Sequence, residues 1–348
     1  MTKITLAFPK DTPGVDVSRS LRPLLLAVRD TRYRHGRELI AWDLSPRQQD
    51  VADLCLLLEK RGRTEYPFRR LELLDCRLDA WSLGRLGRAV ALSSLTSLCL
   101  DYTPVGEEGV RLLLCGLEGD NHVLSLSLCY CSLGPDSGSL LAALVSRSAV
   151  RDLYVNGNDL QCDGATELVN VLVEHEECVA LEEPSPHPAH MTGKQRVRLV
   201  GLHCQVKYTE EQDSIFRGKK EKEERKVKRK SVATPPQIGP WLEKLHLSDN
   251  AIDTYGPGRA TRALSFAENI CLLIKLSTHL TELDLSNNHI GDLSGELLLE
   301  ALQERRKAAM TVLKIRVSTQ MSTDTFAAIL KNSKEMKNVK KRRKKAKK

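Results

Sequence analysis

The sequence predicts an α/β solenoid, in which short parallel strands stack into one curved sheet and a helix lies outside each strand. Six stretches share one frame, with apolar residues at positions 1, 4 and 6 and a turn residue at position 9. The frames start at Phe68, Leu95, Val123, Val150, Leu242 and Leu280. Successive starts are 27, 28, 27, 92 and 38 residues apart, and a period near 28 is typical of stacked repeats. Because one such unit cannot bury its apolar face alone, the units must share a continuous core.

Each unit reads as a strand followed by a helix. Positions 4 and 6, such as Leu98 and Leu100, alternate with polar residues, which predicts a short strand with the two leucines pointing inward. A turn containing glycine follows. Val110, Leu113 and Leu117 then recur at helical spacing, so the second half of the unit is predicted to be a helix.

Position 9 carries a small side chain in every frame. Its occupants are Cys76, Thr103, Cys131, Asn158, Asn250 and Asn288. We expect this side chain to point inward and to satisfy backbone groups that the turn leaves unpaired.

Two weaker copies flank the six. The N-terminal copy places Leu39, Trp42 and Leu44 at positions 1, 4 and 6. The C-terminal copy places Met310, Leu313 and Ile315 at the same positions.

The shared pattern LxxLxLxx(N/C)xL is clearest in VLSLSLCYCSL from Val123, LEKLHLSDNAI from Leu242 and LTELDLSNNHI from Leu280. It resembles the leucine-rich repeats, and specifically the cysteine-containing class of about 28 residues typified by ribonuclease inhibitor. The resemblance implies a non-enzymatic protein that binds other proteins. The lysine-rich insertion and tail also give the chain some likeness to leucine-rich-repeat proteins of the ciliary axoneme.

Composition shifts divide the chain into five predicted parts. These are an N-terminal cap (1–38), leucine-rich repeats (39–178), an irregular basic insertion with room for one distorted repeat (179–238), further repeats with a closing helix (239–336) and a disordered basic tail (337–348). Ser322 or Thr323 is expected to begin the closing helix.

Charge is distributed unevenly along the chain. The net charge is +8, yet residues 331–348 hold eleven Lys or Arg and one Glu, and Arg217–Lys230 holds nine and three. The remainder is therefore acidic, at −8. Blocks of like charge are typical of disordered interaction segments.

The basic cluster of the tail comprises Lys340, Lys341, Arg342, Arg343, Lys344 and Lys345. Such a cluster serves as a nuclear-import signal, as a nucleic-acid or heparin-type patch, as an anchor on an acidic surface such as the tails of tubulin, or simply as a solubilising tail. The sequence leaves all four roles open.

We expect an intracellular protein. No apolar run approaches the roughly 20 residues of a spanning helix, and the N-terminus lacks the apolar core of a signal peptide. The expected location is the cytoplasm, with the cytoskeleton or a cilium as candidates and the nucleus as the alternative. The ten cysteines are expected to be reduced.

Catalytic and cofactor motifs are missing from the sequence. It contains no nucleophile elbow, phosphate loop or H-E-x-x-H, so we expect no enzyme, no cofactor and no small-molecule substrate. One cluster has the residue types of a zinc site: Cys178, His187, His190, His203 and Cys204. Its spacing does not match that of zinc ligands, and we expect no metal.

Positions 3, 5, 7 and 8 of each frame are expected to project from the concave side of the sheet. The candidate partner-binding residues there are Asp101, Tyr102, Tyr130, Asp152, Tyr154, His246, Asp249, Glu282 and Asp284. Tyr102 and Tyr130 occupy the same slot in adjacent repeats, and tyrosine is enriched in binding hot spots. The alternative is that these tyrosines lie flat on neighbouring repeats. The acids beside them favour a basic partner.

These observations predict a protein-protein interaction scaffold that uses its basic segments for placement on acidic surfaces. One alternative is a nuclear or nucleolar RNA-associated factor, for which the basic segments would be the functional parts. Another is an inhibitor like the ribonuclease inhibitors. The partner's identity and the oligomeric state do not follow from the sequence.

Overall fold

The computed structural model describes residues 3–7, 22–30, 36–59, 68–119, 122–182, 237–255 and 258–333. Nearly all of the predicted insertion, the whole tail cluster and four of the five cluster residues considered for zinc lie outside these ranges.

Nine parallel strands form one sheet in which spatial order follows chain order. The strands are β1 (Lys3–Ala7), β2 (Glu38–Trp42), β3 (Arg70–Leu74), β4 (Ser97–Cys99), β5 (Ser125–Ser127), β6 (Asp152–Tyr154), β7 (Lys244–His246), β8 (Glu282–Leu285) and β9 (Lys314–Val317). Together with the alternating helices, this sheet confirms the predicted α/β leucine-rich-repeat solenoid.

A helix follows each of the strands β2 to β8, and α1 precedes β2. The helices are α1 (Arg22–Asp30), α2 (Gln48–Leu58), α3 (Ala80–Ala91), α4 (Gly106–Leu117), α5 (Ser137–Arg147), α6 (Gln161–Glu182), α7 (Arg259–Leu276) and α8 (Gly291–Lys307). The helices α6, α7 and α8 have 22, 18 and 17 residues, whereas α2 to α5 have 11 or 12. None of the helices within the described ranges is long and apolar enough to cross a membrane.

The sheet register confirms the six predicted frames. The leucine at position 4 of each frame pairs with the leucine at position 4 of the next, through Leu71, Leu98, Leu126, Leu153, Leu245 and Leu283. All six side chains are fully buried. Leu153 of β6 pairs directly with Leu245 of β7, so the long insertion between them leaves the sheet continuous.

The predicted register of the N-terminal copy is wrong by three residues. Leu39 aligns with Leu71 and therefore occupies position 4 rather than position 1. Because an odd shift moves every side chain to the opposite face of a strand, Trp42 points outward with 55% of its surface exposed. Leu39 fills the inward position 4 for which Trp42 was expected, and Ala41 fills the inward position 6.

The C-terminal copy is wrong by two residues. Ile315 aligns with Leu283 at position 4, and Val317 aligns with Leu285 at position 6. An even shift keeps the same faces, so Ile315 is buried as expected.

Strand β1 extends the sheet into the segment that was predicted to be an N-terminal cap. It pairs in register with β2 over all five residues, from Lys3 with Glu38 to Ala7 with Trp42. Helix α1 follows in the same segment, and Leu25 and Val28 on it are buried. The predicted N-terminal cap thus contributes a strand and a helix.

The side chains at position 9 form a buried ladder, as predicted. Asn250 Oδ1 accepts a hydrogen bond from the backbone N of Asn158 at 3.2 Å, and Asn288 Oδ1 accepts one from the backbone N of Asn250 at 2.9 Å. Asn250 Nδ2 donates to the carbonyl of Val155 at 3.0 Å. In the N-terminal repeats, Thr103 Oγ1 accepts from the backbone N of Cys76 at 3.1 Å. The position-9 side chain of each repeat therefore forms hydrogen bonds with backbone groups in the turn of the repeat before it.

Neighbouring helices meet through glycines. A methyl group on Gly116 of α4 would overlap the backbone of Gly87 of α3, and one on Gly138 of α5 would overlap Gly164 of α6. These residues allow the helix backbones to touch, so even a Cβ atom would force the repeats apart.

The C-terminal repeats hold a fully buried arginine. Arg305 Nη1 donates to the carbonyls of Ile274 and Ser277, both at 2.6 Å, and Nη2 donates to that of Leu280 at 3.1 Å. Burial lowers the pKa of this guanidinium to about 10.

The final helix covers residues 323–333. Ser322 caps it, as predicted, because its hydroxyl oxygen accepts a hydrogen bond from the backbone N of Thr325 at 3.2 Å.

Candidate partner-binding surface

The candidate residues lie on the face of the sheet that does not pack against the helices, and they fall into two groups. The first, the strand cluster, lies on the strands themselves and contains Asp152, Tyr154, His246, Glu282 and Asp284. The second, the edge row, consists of the residues at position 8, just beyond the carboxyl ends of strands β2 to β8. Asp101 lies between the two groups, at position 7.

Every carboxylate of the strand cluster is paired with a cation from the next strand. Lys244 Nζ lies 2.6 Å from Asp152 Oδ2, and Arg316 Nη1 lies 2.8 Å from Asp284 Oδ2. Lys314 pairs with Glu282. These acids were predicted to favour a basic partner. The ion pairs offset their charge within the sheet.

His246 lies at the centre of the strand cluster. Its ring contacts Tyr154 edge to face, with centroids 4.6 Å apart, and its Nε2 lies 3.4 Å from Glu282 Oε1 without forming a hydrogen bond. Burial lowers the pKa of His246 despite the nearby carboxylates. Although burial opposes ionisation of Glu282, the hydrogen bond from Lys314 holds its pKa below the ordinary value.

The edge row has an unusual backbone. Its residues all adopt the left-handed conformation, with φ between 50° and 67°: Asp43, Asp75, Tyr102, Tyr130, Gly157, Asp249 and Asn287. Gly, Asn and Asp tolerate positive φ, whereas it is unusual for a bulky side chain. Tyr102 and Tyr130 are therefore the exceptions in this row.

The two tyrosines stack on each other. Their ring centroids are 5.0 Å apart and the ring planes differ by 2°. The Tyr130 ring also covers Gly157 of the next repeat. The alternative prediction, that these tyrosines lie on neighbouring repeats, therefore holds for Tyr130. Both nevertheless present surface to solvent, since Tyr102 is 58% and Tyr130 is 43% exposed.

Asp249 continues the row beyond the tyrosines. The Tyr130 hydroxyl donates to Asp249 Oδ2 at 3.3 Å. The pKa of Tyr130 is raised, mainly by partial burial and then by the negative charge of Asp249. The hydroxyl therefore stays protonated and can donate this hydrogen bond. Gly157, which separates the two residues along the row, makes this reach across one repeat possible.

Asp101 holds the adjoining repeat in place. Its Oδ1 accepts from Ser127 Oγ at 2.6 Å and from the backbone N of Cys129 at 2.9 Å. Cys129 immediately precedes Tyr130, so Asp101 positions the second tyrosine and uses its carboxylate oxygen to do so.

A shallow depression of roughly 420 Å³ adjoins the edge row at Asp249. Asp159, Asp253, Tyr255 and His289 line it with Asp249. The Tyr255 hydroxyl lies 2.8 Å from His289 Nε2, and Tyr255 is 61% exposed. Of these residues, only Asp249 was predicted as a candidate. The frames at Leu242 and Leu280 are 38 residues apart, and this excess over the period of about 28 was the sequence signal for the loop that carries Tyr255.

His, Cys, Asp and Glu are the candidate metal ligands among the described residues. No group of three or more His, Cys, Asp and Glu among them could hold a metal ion. The nine described cysteines are free thiols, and burial raises the pKa of Cys99, on the same face, to about 12. A protonated thiol is a poor nucleophile. The arrangement is suited to recognition through rings, hydroxyls and carboxylates.

Comparison with known proteins agrees with the repeat architecture. Residues 276–299 match the family model described as Leucine Rich repeat. The chain is 28% identical to a ribonuclease inhibitor of Sus scrofa over 233 residues, which cover 66% of this chain and 47% of that protein. It is 32% identical to a ribonuclease inhibitor of Mus musculus over 127 residues, which cover 35% of this chain and 28% of that protein.

These matches confirm the predicted resemblance to leucine-rich repeats of the ribonuclease-inhibitor class. The aligned part of the chain spans about half the length of the pig relative, and less of the mouse protein.

Proposed function

We propose that this solenoid is a protein-binding scaffold whose partner lies across the edge row on the concave side of the sheet, with Tyr102 and Tyr130 at the centre of the contact. The observation that carries this proposal is the pair of exposed, stacked tyrosines at backbone positions that other repeats fill with Asp, Asn or Gly. Leucine-rich repeats serve as binding surfaces, and the chain's resemblance to ribonuclease inhibitors supports the same class of activity.

The energetic argument starts from the backbone. A non-glycine residue held in the left-handed region costs on the order of 1–3 kcal/mol, and such strain is concentrated at functional sites. Folding alone would be better served by Asn at both positions. Desolvated tyrosines at the centre of an interface contribute about 2–4 kcal/mol each, which is enough to offset the cost once a partner is bound.

The test begins with proximity labelling in cells, which supplies partner proteins for purified binding assays. Tyr102→Asn and Tyr130→Asn are then combined in one variant, since Asn suits the left-handed backbone. We expect affinity for the true partner to fall by at least about 30-fold. Leu293→Asn, on helix α8, is the matched control because Leu293 is 67% exposed. Equal affinity of the double variant and the control would refute the proposal.

The basic segments are proposed to place the scaffold on acidic surfaces such as tubulin tails. Deleting residues 337–348 should weaken this attachment, and the attachment should be sensitive to salt. Partner affinity should survive the deletion. If partner binding, RNA binding and nuclear retention all fail together, the protein belongs instead to the RNA-associated class.

A second candidate function, inhibition of a ribonuclease, is favoured by the similarity to the pig ribonuclease inhibitor over 66% of the chain. It is tested by titrating the full chain into a pancreatic-type ribonuclease and measuring RNA cleavage. Stoichiometric loss of cleavage supports inhibition. An unchanged rate in molar excess of this protein excludes it for that enzyme.

A further inference from the structure

The depression beside Asp249 differs in charge from the strand cluster. Its ten lining residues include three Asp but neither Lys nor Arg. In the strand cluster, by contrast, each acid has a cation within the sheet. Asp159 and Asp249 form no ion pair with any described residue, and both are exposed. Two exposed carboxylates without an ion pair among the described residues therefore line the same depression.

Aromatic surface adjoins this charge on two sides. Tyr255 stands at the depression with its hydroxyl held by His289 at 2.8 Å. On the other side, Tyr130 reaches Asp249 through its hydroxyl at 3.3 Å and carries the stacked Tyr102 behind it. Carboxylates next to exposed ring faces are the surroundings in which a guanidinium gains both paired hydrogen bonds and stacking.

We propose that the depression receives an arginine side chain from a basic segment of the partner, and that the adjoining part of this segment lies across Tyr102 and Tyr130. This inference rests on the proposed function and specifies the partner's chemistry. Arginine fits better than lysine because its planar fork engages two carboxylate oxygens at once and its face stacks on tyrosine. Asp159 and Asp249 supply the carboxylates, and Tyr255 supplies the ring.

The defined probe is a fluorescein-labelled nonapeptide in which arginine alternates with glycine. Its matched analogues carry lysine or citrulline, and citrulline retains the shape of arginine without the charge. Binding of each peptide to the full chain is measured by fluorescence anisotropy. We expect the arginine peptide to bind about tenfold more tightly than the citrulline peptide and severalfold more tightly than the lysine peptide.

Asp159→Asn is the decisive variant. Asp159 has φ of 53°, a conformation that Asn adopts readily, so the backbone is preserved while one charge is removed. We expect about a fivefold loss of arginine-peptide affinity. Asp136→Asn is the matched control, because Asp136 is an exposed acid at the start of α5 and lies outside the depression. Its affinity should stay within about twofold of that of the wild type.

Four outcomes would overturn the inference. Equal binding of the arginine and citrulline peptides would show that the site does not require a positive charge. Equal binding of the arginine and lysine peptides would show that it does not recognise the planar guanidinium group. Equal losses of arginine-peptide affinity in Asp159→Asn and Asp136→Asn would indicate attraction by the overall negative charge rather than binding at one site. If a natural partner loses affinity with Tyr102→Asn but not with Asp159→Asn, the scaffold proposal stands while the arginine site fails.

Discussion

The ring of Tyr130 covers Gly157 of the next repeat and occupies the space that a side chain at that position would need. Because Gly157 has no side chain, the ring of Tyr130 can pack against its backbone. Tyr130 keeps one face against Tyr102, while its hydroxyl reaches Asp249. The edge row is therefore a set of interdependent residues rather than a sum of separate contacts.

Gly157→Ala should displace the Tyr130 ring. We expect it to destabilise folding by about 2 kcal/mol through the positive φ and the lost ring packing, and to weaken partner binding by more than tenfold. Gly134→Ala separates the two causes, because Gly134 has φ of 72° and nothing within 4 Å of its added Cβ. It should show the backbone cost alone, measured by urea unfolding, and keep full affinity. Equal binding losses in the two variants would contradict this account.

Tyr102→Asn should leave stability almost unchanged. Relief of the left-handed strain offsets the lost stacking with Tyr130, which is worth about 0.5–1.5 kcal/mol. We therefore expect the free energy of unfolding to remain within about 1 kcal/mol of the wild type. A purely structural tyrosine would behave differently, with a loss of stability matching any loss of binding. Urea unfolding and partner titration on the same samples distinguish the two cases.

Asn250→Ala should be severely destabilising. The change removes the acceptor for the backbone N atoms of Asn158 and Leu160 and the donor to Val155, all of which are buried. We expect a loss of about 3 kcal/mol or more. Asn156→Ala, in the neighbouring repeat, removes a part-buried bond to the backbone N of Ser248 and should cost only about 1 kcal/mol. Similar losses for the two variants would show that the buried ladder adds nothing special.

The stability of the fold should fall between neutral and mildly acidic pH, partly because of His246. Its pKa in the folded protein is lowered below 6.5 by burial, so the unfolded chain binds the proton more readily. This contribution is complete above a pH of about 6.5 and is lost as the pH falls toward the folded pKa. His246→Gln should therefore reduce the dependence of the urea midpoint on pH in that window.

His122→Gln is the comparison for this titration, because His122 is an exposed histidine. An equal reduction of the pH dependence in His122→Gln would show that the effect is not specific to His246. An unchanged slope in His246→Gln would mean that the acid sensitivity has another origin. Glu282 and Asp284, whose pKa values are lowered in the folded protein, continue to lose their contribution at lower pH in both variants.

The core of this fold was predictable because leucine periodicity carries it. All six frames have the predicted register, since positions 4 and 6 must be buried in every repeat. The flanking copies were harder, because Trp42 and Met310 are apolar without being inward residues of a strand. Apolar character alone does not distinguish the two faces of a short strand, so the N-terminal copy was displaced by three residues.

The candidate site was predictable by position but not by charge. The frame correctly assigned Tyr102 and Tyr130 to the same slot, because a fixed repeat length places equivalent residues side by side. It did not show that Asp152 and Glu282 meet lysines of the following strands, since that requires the pairing across β6 to β9. The depression beside Asp249 depends on Tyr255, which lies outside the frame altogether.

The direct pairing of Leu153 with Leu245 has a practical consequence. Since β6 and β7 are hydrogen-bonded neighbours, we expect a change in the length of the chain between them to leave the strand spacing unchanged. Insertions or deletions there should therefore leave Tyr102 and Tyr130 at the same spacing. For the same reason, a reporter domain can be inserted into the chain between β6 and β7 without changing the order of the strands.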